Sequence, residues 1–356
     1  MENHYYFLGG ASPTGFKTRF GDTIFNTDYR TYIIKGGPGT GKSSLMKRLA
    51  NQFPDAEKEI YYCSSDPDSL DAVVFTESKI AFVDGTAPHT FDPEYPGSVQ
   101  QLVDLGSCWD TALLRENKSE IISATADYLH HHGMCRRYIT ALSAVADDTM
   151  QVGKLALNTE KLEGFTQRLA KKMLPKKQEP DEGTIIYRQL SALTPKGYVT
   201  NLPENYTVYL LNDNLYEGAE TFLRRFAEIA AEKGYDVCVS LITILGGSGF
   251  EHIFIPELKI AFLTATPVNE LSLSEKHPVN FKRFYDKNVI RQRKMRIKFN
   301  EGAIKDLRDE AVAALVNAKA EHDKLEAYYI KAMDFNKVSS IAEQLENELK
   351  TIISEK

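Results

Sequence analysis

The chain has little of what marks secreted, membrane-embedded or nucleic-acid-coating proteins. Only four cysteines occur in 356 residues, Cys63, Cys108, Cys135 and Cys238, and no two share a paired spacing. That excludes a disulfide scaffold and fits a reducing compartment, so a cytoplasmic location is expected. Long hydrophobic runs are missing as well. The longest apolar stretch, VCVSLITIL at 237–245, is far too short to cross a bilayer and has the composition of a strand. The amino terminus, MENHYYFLGG, lacks a basic region ahead of an apolar one, so it does not read as a secretory signal. Positive charge is not in excess either. A formal net charge of −6 argues against a surface that coats nucleic acid. Hydrophobic content of 42% and charged content of 26% leave a globular chain, long enough for two domains that each bury a core.

What is present is one strong motif. Residues 33–49 read IIKGGPGTGKSSLMKRL and satisfy G-x-x-x-x-G-K-[ST] through Gly36, Gly41, Lys42 and Ser43. The β-branched run TYII reads as a buried strand, and Leu45, Met46 and Leu49 have helical spacing. A strand, a glycine-rich turn and a helix in that order aim backbone N–H groups and a helix amino terminus at one point, which is how phosphate is held. The candidate nucleotide-binding set is Gly36, Gly37, Pro38, Gly39, Thr40, Gly41, Lys42, Ser43 and Ser44. Lys42 is expected to reach the β- and γ-phosphates and Ser43 to ligate Mg²⁺. A second carboxylate for the metal is expected at the end of a neighbouring strand, and Asp84 closes the apolar run IAFV. The next residue is Gly85, where many ATP-hydrolysing proteins of this kind place a glutamate base.

The chain is also written twice. YIIKGGPGTGKSSLMKRL (32–49) lies over YLLNDNLYEGAETFLRRF (209–226), and SLDAVVFTESKIAFVDGTAPH (69–89) over GFEHIFIPELKIAFLTATPVN (249–269), with KIAF identical. Residues 156–173 and 332–349 agree in their apolar positions. The predicted fold class is therefore α/β: two tandem P-loop NTPase-like domains from internal duplication, each with a mainly parallel sheet and an appended helical arm. The domains are 1–178, with an arm over about 107–175, and 179–356, with an arm over about 278–356. The junction is the polar segment 176–183, which contains Pro180 and Gly183.

In the second copy the chemistry has gone. Gly36 becomes Asp213, Gly39 becomes Tyr216, Lys42 becomes Ala219, Ser43 becomes Glu220 and Asp84 becomes Thr264. Asp66, Asp68 and His89 fall on Gly246, Ser248 and Asn269 and disappear with them, which nominates these three for the same site. His89 has the chemistry to orient a water or sense the γ-phosphate, and Asp66 or Asp68 is the alternative base. LGGSGF (245–250) lacks lysine and reads as a plain loop. HHHGMC (130–135) is a weak metal candidate, because adjacent histidines on a helix point apart. The basic run 287–298 is expected on a solvated helix face. Nucleic-acid contact through it, or an arginine reaching the intact loop, is the less favoured reading.

The phosphate loop, CSSDPDSLD (63–71), FVDGTAPH (82–89) and the full-length duplication together resemble a family of bacterial tandem P-loop ATPases. That resemblance implies ATP and Mg²⁺ as cofactors and a magnesium-dependent ATPase with one working site. Two alternatives stay open: an ATP-dependent small-molecule kinase, and a non-hydrolysing nucleotide sensor whose helical arms meet a protein partner. Guanine specificity is not expected, since no N-K-x-D segment occurs.

Overall fold

In a computed structural model that describes residues 3–178, 181–274 and 276–354, the repeat in the sequence becomes a repeat in space. The first half builds a six-stranded sheet from β1 (Asn3–Phe7), β2 (Arg30–Lys35), β3 (Lys58–Tyr62), β4 (Leu70–Phe75), β5 (Ile80–Asp84) and β6 (Gln100–Asp104), ordered β1-β3-β4-β5-β2-β6. The second builds β7 (Ile185–Tyr187), β8 (Thr207–Asn212), β9 (Val237–Leu241), β10 (Phe250–Ile255), β11 (Ile260–Ala265) and β12 (His277–Asn280), ordered β7-β9-β10-β11-β8-β12. Raising each label of the first order by six produces the second. In each sheet one strand, β4 or β10, runs against its neighbours and the other pairings are parallel.

Both faces of each sheet are covered, which is why the central strands read as unbroken apolar runs. All six residues of β4 and all six of β10 are buried. Tyr32, Ile34, Val73 and Phe82 point outward against α1 (Lys42–Gln52). Leu211, Val239, Ile253 and Phe262 do the same in the second half against α4 (Glu217–Glu232). The inner faces meet each other. Ile33, Val74 and Val83 share one core with Leu210, Phe254 and Leu263, and Tyr6 stacks on Phe254 at 6.2 Å. The layers run helix, sheet, sheet, helix.

The arms cross over. In the first half they are α2 (Lys118–Ala156) and α3 (Thr159–Met173), and in the second α5 (Lys294–Lys331) and α6 (Phe335–Ser354). The long helices lie antiparallel, with Asp148 paired to Arg296 toward one end and Tyr128 against His322 toward the other. A helix of 39 residues carries the chain roughly 58 Å, so the next helix lands on the opposite half. Leu162 and Ala170 of α3 enter the outer core of the second sheet, while Val338, Ala342, Leu345 and Leu349 of α6 enter that of the first. Paired bridges seal the exchange: Trp109 to Met333 and Leu157 to Tyr285. Asn158 and Asp334 cap the crossing helices, the first accepting the Lys161 N–H and the second those of Asn336 and Lys337.

The division of the repeat in sequence and the division of the cores in space are therefore not the same. The arms pack both on the sheets and on each other, and each last helix belongs spatially to the other half. Glu179 and Pro180 of the junction lie outside the described residues. Among the described residues no helix is long and apolar enough to cross a membrane, and the four cysteines are free thiols.

Candidate functional site

Parallel pairing of β2 with β5 brings their carboxyl ends together, in register Ile34 to Asp84. The glycine-rich loop starts one residue past β2 and ends where α1 begins at Lys42. The Lys42 ammonium lies 3.6 Å from Asp84 and donates to the carbonyls of Gly36 and Gly37 at 3.1 and 2.8 Å. The Ser43 hydroxyl accepts the Leu70 N–H at 2.9 Å, which fixes α1 to the start of β4. Asp84 accepts from the Thr86 hydroxyl and backbone at 2.5 and 2.9 Å. Lys42 and Ser43 are thus gathered with the distant Asp84 at one sheet edge.

The two loops share one unusual turn and differ beyond it: Gly41 is left-handed at φ +88° and caps α1, whereas its counterpart Gly218 lies inside α4, which begins at Glu217. Gly39 has φ +65° and its counterpart Tyr216 has φ +64°, a conformation that costs a tyrosine strain and glycine almost none. The contents differ. In the second loop the buried Asp213 carboxylate accepts the Leu215 N–H at 3.0 Å, the Ala219 N–H at 2.8 Å and the Tyr285 hydroxyl at 2.8 Å. Burial raises the Asp213 pKa, and the donors of Ala219, Leu215 and Tyr285 work against that rise. An acid group therefore sits on the helix amino terminus, supplied by the chain itself. Glu220 is not part of it; it pairs with Arg224 one turn along α4.

Asp66 and Asp68 both face the second half. Asp68 is exposed and takes the Lys196 ammonium at 2.9 Å, whose hydrogen bond and charge lower its pKa. Asp66 takes Lys319 of α5 at 3.6 Å and the Ser69 hydroxyl at 2.8 Å. Their loss from the second copy has a physical account here, since contacts between unlike halves need not be repeated. His89 is buried and engaged at both ring nitrogens: Nδ1 lies 3.1 Å from the Asp84 carbonyl and Nε2 3.2 Å from the Asp71 carboxylate. Burial works to lower the His89 pKa, but the charge and hydrogen bond of Asp71, joined by Asp84, outweigh it and the net shift is upward. Asn269 repeats the geometry in the second half, donating to Glu251 at 3.2 Å and to the Thr264 carbonyl at 2.9 Å.

The site has a roof that the sequence did not announce. The carboxyl end of α5 crosses the loop, and the Gly39 N–H donates to the Glu326 carboxylate at 3.1 Å. A Cβ on Gly39 would stand 2.9 Å from the Glu326 carbonyl oxygen, so the glycine serves the helix approach as well as the turn. Trp109 and Tyr329, 5.6 Å apart, pack on Gly37, and the buried indole N–H of Trp109 has no hydrogen-bond partner. His322, Asp323 and Glu326 present ligand atoms within 4.8 Å of one another, a group able to hold a cation. None of these stands out in AEHDKLEAYYI, which reads as ordinary amphipathic helix.

The remaining candidates lie off the loop, with the histidine run beside His322 of the roof. Of the histidine run, His132 packs on Tyr128 at 4.5 Å, and burial, with His322 and His131, pushes its pKa down to about 4. The basic run sits at the amino end of α5, where Arg296 pairs with Asp148, and about 45 Å of helix separates Arg296 from Glu326. No arginine of that run reaches the intact loop from there. In the 245–250 loop Gly246 and Gly247 have φ of +101° and +77°, as a turn requires.

Comparison of the chain with models of protein families, with curated proteins and with solved structures found no match.

Proposed function

We propose that the first half binds a nucleoside triphosphate, ATP, with Mg²⁺ in the loop 36–44 and hydrolyses it, while the second half is a non-binding copy that roofs the site. The reading rests on Asp213. The copy without lysine carries its own carboxyl group on the Ala219 N–H, the counterpart of the Lys42 N–H, so the start of this helix is a seat for an acid group in the half that kept no lysine. The intact loop has Lys42 and glycines where the other has Ala219 and Asp213. The residues fit the ligand: Gly39 and Lys42 offer N–H groups, the Lys42 ammonium a cation, and Trp109 a buried indole N–H that lacks a partner. Ser43 and Asp84 are the ligands that would hold Mg²⁺, which when bound offsets charge on the phosphates.

His89, held between Asp71 and the Asp84 carbonyl and matched by Asn269, is assigned as a positioning residue that sets the end of β5. Asp66 and Asp68 are committed to lysines, which disfavours the kinase alternative in which one of them receives an acceptor hydroxyl. A non-hydrolysing sensor is the second reading, favoured by the roof helix that touches the loop.

Calorimetry of the whole protein with MgATP decides binding: heat in the wild type and none in Lys42→Ala is expected. No heat from any nucleoside triphosphate overturns the reading. Phosphate release without an added acceptor separates hydrolysis from sensing.

A further inference from the structure

We propose that Glu326 is a displaceable latch: a carboxylate of the second half that occupies the first half's loop and must leave when a triphosphate enters, so that loop occupancy and the seating of α5 are one equilibrium. This rests on the reading that the loop takes a triphosphate.

The two halves treat one problem differently. In each half a carboxyl group accepts backbone N–H of the loop, from Leu215 and Ala219 in the second and from Gly39 in the first. In the second half that group is Asp213, a member of the loop itself, which cannot depart without unfolding it. In the first half it is Glu326, which accepts from Gly39 but is carried on a helix from 287 positions away. The covering helices correspond by a shift of 176, and that shift puts Met150 of α2 where α5 has Glu326. At that position the acid stands only over the loop that has no acid of its own, and the acid that α5 brings to the second loop, Glu301, meets the Asn214 side chain and not a backbone N–H.

The helix has a second hold one face along. Lys319, two turns before Glu326, reaches Asp66 at 3.6 Å, so the stretch from 319 to 326 spans from the Asp66 loop to Gly39. His322 lies between them, its Nδ1 4.0 Å from the Glu326 carboxylate. Two anions cannot share one set of N–H donors, and a triphosphate carries more charge than a carboxylate. Entry of the ligand therefore turns Glu326 out, leaves Lys319 holding Asp66 as an anchor, and loosens the helix end beyond it. Because α5 lies along α2, whose own end covers the second loop at Leu215 and Glu217, the displacement is delivered to the arm pair.

The test uses the full chain, MgATP, and the Lys42→Ala, Glu326→Ala and Glu326→Gln variants. Removing the competing carboxylate should tighten the Kd for ATP about tenfold in Glu326→Ala, with Glu326→Gln between it and the wild type. Hydrogen exchange over 322–331 should rise when MgATP is added to the wild type, be raised without nucleotide in Glu326→Ala, and stay unchanged in Lys42→Ala. A Kd that is unaltered or weakened in both Glu326 variants, with wild-type binding intact, sinks the latch and leaves the binding site standing. So does helix exchange that is indifferent to MgATP. If neither the wild type nor a Glu326 variant takes up ATP, the reading of the loop fails and the latch fails with it.

Discussion

The Asp213 carboxylate accepts the Ala219 backbone N–H at 2.8 Å, and Ala219 stands where the first half has Lys42. A side chain of the second loop thus caps the start of α4, and no lysine stands at that position to compete for it. Asp213→Ala should destabilise the protein by about 3 kcal/mol, because buried donors of Leu215, Ala219 and Tyr285 lose their acceptor. Urea unfolding measures this. The same variant should bind MgATP as the wild type does, and Glu220→Ala, which breaks only an i,i+4 pair with Arg224, should change neither.

Trp109 is the chain's single tryptophan, and it packs on Gly37 of the intact loop and on Tyr329 of the roof. Its fluorescence is therefore a native reporter of that loop. MgATP should shift its emission in the wild type with the affinity found by calorimetry, and should leave the emission of Lys42→Ala unmoved. An unresponsive signal alongside measurable heat would place the ligand elsewhere.

Glu251 is fully buried beside Tyr198 and Asn269, and burial, partly opposed by their hydrogen bonds, pushes its pKa up to about 8. The unfolded chain releases that proton near pH 4.5, so between those values the folded state binds more protons and stability falls as pH rises. The buried His252, lowered to about 3 by burial, acts in the opposite direction below its ordinary pKa of 6.5. The window from about pH 6.5 to 8 therefore excludes His252. His89, whose pKa is raised, loses its contribution on the same side as Glu251. Chemical unfolding of Glu251→Gln should show a flatter decline over that window than the wild type, by on the order of a few kcal/mol at its upper end.

Deletion of 335–354 removes Val338, Ala342, Leu345 and Leu349 from the outer core of the first sheet. Each buried aliphatic of this size contributes about 1.5–3 kcal/mol, so the loss exceeds what one half can absorb. Hydrogen exchange should show the first half, β2 and α1, losing protection, although the deleted helix belongs to the second half in sequence. Selective loss in α4 and β10 would contradict the exchange of helices.

Much of this was legible in the order of residues. Strand, loop and helix around 31–49 follow from a β-branched run, spaced glycines and helical periodicity, all of which act within a few residues. The duplication was legible because it is a comparison of the chain with itself, and it anticipated two alike sheets and a second loop that had lost its lysine. What was not legible depends on contacts across hundreds of positions. A glutamate in AEHDKLEAYYI looks the same whether it faces water or Gly39, and only the path of a 38-residue helix settles which. In the same way Asp66 and Asp68 were noticed as lost acids, while their lysine partners emerge only once the halves pack. Local chemistry wrote the cradle into residues 36–43. Chain length and core burial, by sending each terminal helix to the other sheet, determined what lies over it.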